Sequence, residues 1–126
     1  MASTTARGHV LVVDDDALFS ESVSGNLVEA GYRTRIFSDG PATLHHLACE
    51  PDADLVLLDW KMPGMTGSDT LLQLRRIAPG LKAIVSSGLP REEAEHHFRD
   101  VEISGYLQKP YRMSELTSLV EASLTA

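Results

Sequence analysis

The sequence predicts an α/β fold in which a parallel sheet of five strands is covered by helices on both faces. Five short apolar segments alternate with five segments whose apolar residues recur at helical spacing. Four of the five apolar segments end in a charged or hydroxyl residue. Strands that alternate with helices indicate right-handed crossovers, and the carboxyl ends of such strands meet at one edge of the sheet. The polar strand ends are therefore expected to lie together.

Length and composition bound the class of protein. The 126 residues, 43% of them hydrophobic, suit one domain with one core, which we place at 9–126 after a flexible leader at 1–8. The net charge of -7 argues against direct binding of nucleic acid. No apolar run approaches the roughly 20 residues that cross a bilayer. Cys49 is the only cysteine, which fits a reducing cytoplasm and predicts a small packing residue.

The first half of the chain reads as strand, helix, strand, helix, strand. Aliphatic runs bounded by acids predict the two buried strands, and Phe19, Val23 and Leu27 recur at helical spacing between them. Asp16 precedes that helix and is expected to be its N-cap. The predicted elements are His9–Val13, Ala17–Ala30, a more exposed strand Tyr32–Phe37, a short helix that opens at 38–41, and Asp54–Asp59.

The second half adds two more strands and three helices. The last helix is expected to turn an apolar stripe inward, and the helix at 91–99 is strongly polar, with Ala94 and Phe98 as its inward residues. The predicted elements are a helix marked by Leu71, Leu72, Leu74 and Ile77, the strand Leu81–Ser87, the polar helix, the strand Ile103–Gln108, and a final helix with Leu116, Leu119, Val120 and Leu124 inward.

Two histidine pairs do not predict a metal site. His45 and His46 are neighbours in one predicted helix, and His96 and His97 are neighbours in another. Adjacent residues of a helix point about 100° apart and do not face each other. We therefore expect both pairs to be surface residues.

The polar strand ends supply the groups for phosphoryl chemistry. Asp14, Asp15, Asp59, Ser87 and Lys109 are predicted to share one rim of the sheet. Clustered carboxylates repel one another and bind a hard divalent cation, for which Mg²⁺ is suited because it leaves positions open for phosphate oxygens. A lysine and a hydroxyl complete a cradle for a phosphoryl group. The remaining carboxylate can act as nucleophile and form an acyl phosphate.

Four motifs at successive strand ends resemble the receiver domain of two-component response regulators, including receivers attached to hybrid sensor histidine kinases. The resemblance covers His9 to Leu124 and implies a doubly wound, flavodoxin-like sheet of order 2-1-3-4-5 with five helices. The motifs are Val12-Val13-Asp14-Asp15 after the first strand, Asp59 with Met62-Pro63-Gly64 and Gly67 after the third, Ser87-Gly88 after the fourth, and Lys109-Pro110 after the fifth.

The resemblance implies a role for each acid. Asp59 is expected to accept the phosphoryl group. Asp15 and Asp59 would bind Mg²⁺ directly, together with the backbone carbonyl of Lys61, while Asp14 would act mostly through a metal-bound water.

The resemblance also assigns phosphoryl-binding and switch residues. Lys109, the Ser87 hydroxyl and the backbone amide of Gly88 are expected to bind phosphoryl oxygens. Tyr106 falls at the position of the switch aromatic, which turns inward when Ser87 is drawn to the phosphate. The Lys109–Pro110 bond is often cis in this family. Ser87 stands where the family most often has Thr, and it keeps the hydroxyl.

The implied function is phosphoacceptance rather than turnover of a separate substrate. The domain would catalyse only its own phosphorylation and dephosphorylation and would switch the surface formed by the fourth helix, fifth strand and fifth helix. Its implied partners are a sensor histidine kinase or histidine phosphotransfer protein, and a downstream target or a second copy of the domain.

Two alternative functions are less well supported by the sequence. A receiver-like docking module usually lacks an acid, the lysine or the hydroxyl, and this chain retains all of them. A haloacid-dehalogenase-type phosphatase would use Asp14-x-Asp16. It would also require Thr or Val soon after Asp16 and a late acidic motif, and it leaves Asp59 unexplained.

Overall fold

The computed structural model describes residues 7–62 and 64–125, so most of the leader predicted at 1–8, as well as Pro63, lies outside the described residues. The described residues form one sheet of five parallel strands in the order β2-β1-β3-β4-β5. This order and the alternation with five helices confirm the predicted fold. The strands are β1 His9–Val13, β2 Arg33–Phe37, β3 Leu55–Leu58, β4 Lys82–Ser87 and β5 Gly105–Gln108.

Helices cover both faces of the sheet, as expected for a doubly wound fold. They are α1 Ala17–Glu29, α2 Gly40–Cys49, α3 Gly67–Ile77, α4 Arg91–His97 and α5 Met113–Thr125. One core cluster joins α1 and α5 to the sheet, through Val23 and Val120 among others. The other joins α2, α3 and α4 to the opposite face, through Leu47, Leu74 and Ala94.

The strands differ in burial according to their place in the sheet. Every residue of β1 and β3 is buried because both strands have neighbours on each side and helices on both faces. Strand β2 lies at the edge of the sheet and is largely exposed, which confirms the prediction of a more exposed strand from its alternating pattern. Strand β5 begins at Gly105, two residues later than predicted.

Short side chains fix where several helices begin. The carboxylate of Asp16 accepts a hydrogen bond from the Phe19 amide, which confirms it as the N-cap of α1. Asp39 and Thr66 cap α2 and α3 in the same way. In contrast, α4 follows Pro90 and has no side-chain cap.

One packing expectation is wrong, because Cys49 is exposed at the end of α2. Of the four apolar residues that mark α3, Leu71 and Leu74 are buried, whereas Leu72 is 49% exposed and Ile77 is 37% exposed. Within the described ranges, no helix has the length and hydropathy to span a membrane.

Candidate functional site

The carboxyl ends of the central strands meet at one edge of the sheet. Val13 is in register with Leu58, and Leu58 is in register with Val85. The residues that follow these strands therefore emerge side by side, Asp14 after β1 and Asp59 after β3. The Asp59 amide donates a hydrogen bond to the Val13 carbonyl at 3.1 Å, which continues the ladder to the site.

Three carboxylates converge at this edge. Asp14, Asp15 and Asp59 each place an oxygen within 4.8 Å of the others. Asp14 is only 4% exposed, Asp59 is partly buried and Asp15 is exposed. The Asp16 amide donates to Oδ1 of Asp14 at 3.0 Å and fixes that carboxylate. The group has the oxygen-only composition that a hard divalent cation prefers.

Lys109 provides the positive charge opposite the carboxylates. Its Nζ lies 2.6 Å from Oδ2 of Asp14 and 3.4 Å from Oδ2 of Asp59. Nζ also lies 4.5 Å from the centre of the Phe19 ring. Burial alone would lower the pKa of Lys109, but the hydrogen bond to Asp14 and the negative charges of Asp59 and Asp14 raise it above its usual value. The ammonium is thus held in its charged form.

The carboxylate of Asp59 is poised between opposing effects. Burial raises the pKa of Asp59, the Lys109 ammonium lowers it, and the charge of Asp14 raises it; the pKa is raised overall. A hydrogen bond from the Lys61 backbone amide opposes the rise. The positive charge of Lys109 therefore does not cancel the rise in the pKa of Asp59 that burial and the neighbouring carboxylate cause.

A cleft of about 560 Å³ opens beside Asp59. Ser87 is 3% exposed, and its hydroxyl accepts a hydrogen bond from the Leu89 amide at 3.1 Å. The cleft is large enough for a phosphoryl group and part of its donor. Its lining residues are Asp15, Asp59, Trp60, Lys61, Met62, Ser87, Gly88 and Leu89.

The two serines at the end of β4 lie on different faces of the sheet. Ser86 exchanges a hydrogen bond of 2.9 Å with the Tyr111 hydroxyl, on the side of α1 and α5. Burial raises the pKa of Tyr111 to about 12. Ser87 instead faces the cleft, so it is the hydroxyl that neighbours Asp59.

The loop after Asp59 returns close to its own start at Gly67. The Gly67 amide donates to the Trp60 carbonyl at 2.7 Å. A Cβ atom at position 67 would overlap the Asp59 carbonyl oxygen and lie 2.9 Å from Cα of Trp60. Only glycine permits this approach, which fixes the backbone that carries Asp59.

Comparison with known proteins identifies the family. The model of the response regulator receiver domain family matches residues 10–121. The chain belongs to this family. Among curated relatives, this receiver domain is 32% identical to the probable transcriptional regulatory protein SilR of Salmonella typhimurium, over 91% of the chain and 50% of SilR. It is also 32% identical to the DNA-binding transcriptional regulator NtrC of Escherichia coli K12, over 94% of the chain and 25% of NtrC. The receiver thus spans half or less of these relatives.

Solved receiver structures share the fold. The CheY-like receiver domain protein from Methanospirillum hungatei superimposes with a TM-score of 0.86 and 26% identity, covering 94% of each chain. The BeF3-activated DrrB receiver domain superimposes with a TM-score of 0.84, at 24% identity, over 94% of this chain and 98% of that one. At 24% identity, the similarity to the DrrB receiver domain supports the fold alone.

Tyr106 lies on β5, with its ring next to Arg91 at the start of α4. Its ring is partly exposed, and the Arg91 guanidinium lies 5.5 Å from the ring centre. Arg91 also pairs with Glu95 at 2.9 Å within α4. Burial and the charge of Glu95 raise the pKa of the Tyr106 hydroxyl. The switch role of Tyr106 stays a prediction.

Aromatic residues that the sequence did not indicate complete the site. Phe19 and Tyr111 pack edge to face beside Lys109, with ring centres 5.8 Å apart. Trp60 lines the cleft and stacks on His97. His97 and His46 are partly buried, so the expectation that both histidine pairs lie on the surface is wrong for these two residues and is confirmed for His45 and His96. The Lys109–Pro110 bond is cis, as expected.

Proposed function

We propose that this receiver accepts a phosphoryl group on Asp59 from a phosphohistidine donor, with Mg²⁺ as cofactor. The observation that carries the proposal is the convergence of three carboxylates and Lys109 at the edge of the sheet, next to an open cleft. A merely structural set of acids would be expected to be balanced by cations. Here one ammonium faces three carboxylates, and Asp59 lines the cleft.

The residues fit Mg²⁺. We assign Asp15 and Asp59 as direct ligands with the backbone carbonyl of Lys61, and Asp14 as a ligand through water. The convergence of the three carboxylates, and the rise in the pKa of Asp59 that burial and Asp14 produce, support this assignment. When bound, Mg²⁺ would supply positive charge that offsets the carboxylates and the phosphoryl oxygens.

The transfer step uses Asp59 as nucleophile. A carboxylate oxygen forms a bond to the phosphorus of the donor, and the bond from phosphorus to the donor imidazole nitrogen breaks. The electron pair of that bond stays on the imidazole, and the product on Asp59 is an acyl phosphate. Since one group stays on each chain, the domain catalyses only its own phosphorylation and dephosphorylation.

Lys109, Ser87 and Gly88 bind the transferred group in this proposal. Nζ of Lys109 already lies 3.4 Å from Oδ2 of Asp59. The ammonium can therefore change its hydrogen-bond acceptor from a carboxylate oxygen to a phosphoryl oxygen with little motion. The Ser87 hydroxyl lines the same cleft and has donor capacity, since in its present contact it accepts from the Leu89 amide. Gly88 lines that wall as well, and its backbone amide is the third donor that we assign.

Phosphorylation would then switch the surface of α4, β5 and α5. Drawing Ser87 toward the phosphoryl group vacates space on the face of the sheet that Tyr106 occupies. Tyr106 turning inward would release the contact between its ring and Arg91 at the start of α4. A shift between two such arrangements requires only a difference in their affinity for the phosphoryl group.

The partners follow from this chemistry. A cytoplasmic sensor histidine kinase or histidine phosphotransfer protein would supply the group, and a downstream protein or a second copy would bind the switched surface. The regulatory names of the relatives support such a place in signal transduction.

Stoichiometry tests the proposal against a phosphatase. Incubation with a phosphohistidine donor should leave at most one phosphoryl group on each chain, and a phosphate ester should yield no sustained release of phosphate. Continuous release from an ester, at many groups per chain, would contradict phosphoacceptance as the function.

A further inference from the structure

Hydrogen bonds fix the backbone of Trp60, but they do not fix the orientation of its indole ring. Trp60 follows Asp59 directly and lines the cleft beside the carboxylate. The hydrogen bond from the Gly67 amide holds its carbonyl, and the Asp59 amide is held by β1. These bonds do not determine where the indole lies, because the ring turns about its own side-chain torsions.

His97 supplies that support from α4. Its imidazole stacks on the indole with ring centres 3.8 Å apart and an angle of 21° between the planes. His97 is the last residue of α4 and is partly buried, whereas His96 beside it is exposed. Stacked aromatic rings attract each other beyond the effect of the area that they bury.

The stack also joins two parts of the site that otherwise have little contact. Among the seven residues of α4, all of which the structure describes, Ala94 is the buried one, and no side chain caps the helix. Beyond Phe98 at its C-terminal end, 1% exposed, the helix has few apolar anchors. The contact between His97 and the loop of Asp59 therefore adds to the anchor that Phe98 provides at this end of α4.

We propose that His97 is a positioning residue for phosphoryl acceptance, acting through Trp60; this rests on the proposed function of Asp59. By stacking, His97 holds the indole as a formed wall of the cleft, so that an incoming donor meets an ordered surface next to the nucleophile. The same contact makes the position of α4 depend on the state of the cleft. Coupling between binding free energies is reciprocal, so a change in α4 also alters how well the cleft holds a donor beside Asp59.

Three substitutions at two adjacent residues test the proposal. His97→Ala removes the stacking ring, and His97→Phe restores a flat ring without the imidazole. His96→Ala removes an exposed neighbouring ring that does not line the cleft and meets the His97 ring edge to face, with ring centres 5.8 Å apart. Trp60 is the single tryptophan of the chain, so its fluorescence reports the cleft directly. The second readout is the rate at which acetyl phosphate with Mg²⁺ forms the phosphoryl adduct, followed by intact mass.

We expect His97→Ala to shift Trp60 emission to longer wavelength and lower its anisotropy before any donor is added. Adduct formation should slow by about two- to tenfold, the range that the loss of one aromatic pair produces. His97→Phe should recover both properties, and His96→Ala should match the wild type. A general loss of folding would not be restored by His97→Phe.

The outcomes separate this inference from the proposed function. A wild type that forms the adduct, together with a His97→Ala variant of equal rate and equal emission, overturns the positioning role and leaves phosphoacceptance intact. Changed emission with an unchanged rate also overturns the role. A wild type that forms no adduct overturns the proposed function, and the positioning role with it.

Discussion

Replacing Gly67 with alanine should damage both the stability of the fold and the geometry of the site. The added Cβ would overlap the carbonyl oxygen of Asp59 and press on Cα of Trp60. Both contacts are with backbone, which cannot turn aside as the end of a side chain can. Either α3, which begins at Gly67, or the loop that carries Asp59 must move.

The expected cost follows from the size of the clash. Forcing one methyl group into a packed site costs about 1–3 kcal/mol, which for a domain of this length lowers the melting temperature by roughly 3–12 °C. Gly25→Ala is a matched control, because a Cβ there has no neighbour within 4 Å and the residue is exposed in the middle of α1. That change should stabilise the protein by about 0.5–1 kcal/mol.

Urea and thermal unfolding followed by circular dichroism measure both variants, and intact mass measures adduct formation. We expect Gly67→Ala to unfold earlier than the wild type and to accept the phosphoryl group more slowly, while Gly25→Ala unfolds later and accepts it normally. A Gly67→Ala protein as stable and as active as Gly25→Ala would refute the reasoning, since the loop could then not approach α3 as described.

Three further predictions test separate features. Mg²⁺ at ten times its dissociation constant should stabilise the wild type by about 1.4 kcal/mol, as measured by thermal unfolding. The Asp15→Asn variant should lose most of this stabilisation. Equal stabilisation of the two proteins would show that Asp15 is not a ligand. Ser86→Ala should destabilise the fold by about 1–3 kcal/mol because it leaves the Tyr111 hydroxyl unpaired, and it should not change the rate of adduct formation. Ser87→Ala should slow adduct formation. The reverse pattern would exchange the roles of the two serines. Burial and the charge of Arg33 lower the pKa of His9 below 6.5, so the fold favours the neutral ring and should lose stability as pH falls through 6.5, levelling off below the lowered pKa. As pH falls through 6.5, the urea midpoint of unfolding should fall less in His9→Gln than in the wild type. An equal fall in the two proteins would contradict the role of His9.

The sequence was sufficient for the fold and for the location of the site because the signals are local. The aliphatic runs of β1 and β3 are buried on both faces, and the acids that follow them are brought together by the topology of a parallel sheet. The Ser87-Gly88 motif predicts Ser87 as the hydroxyl of the site, and Ser87 lines the cleft.

The details that the sequence does not show depend on tertiary contacts. The helical spacing of apolar residues in α3 does not distinguish those that the core buries from Leu72, which is exposed. The contact of His97 with Trp60 joins residues far apart in the chain, and no periodic pattern signals it. The roles of the rim residues remain predictions, because proximity alone does not show transfer.

Intact mass after incubation with Mg²⁺ and acetyl phosphate, run beside Asp59→Asn, tests the central claim most directly. The account predicts one phosphoryl adduct on the wild type that requires Mg²⁺ and is absent from Asp59→Asn. An adduct that persists in Asp59→Asn would contradict the assignment of the nucleophile. A wild type that takes no phosphoryl group from this donor or from a phosphohistidine donor would contradict phosphoacceptance itself and favour a docking module.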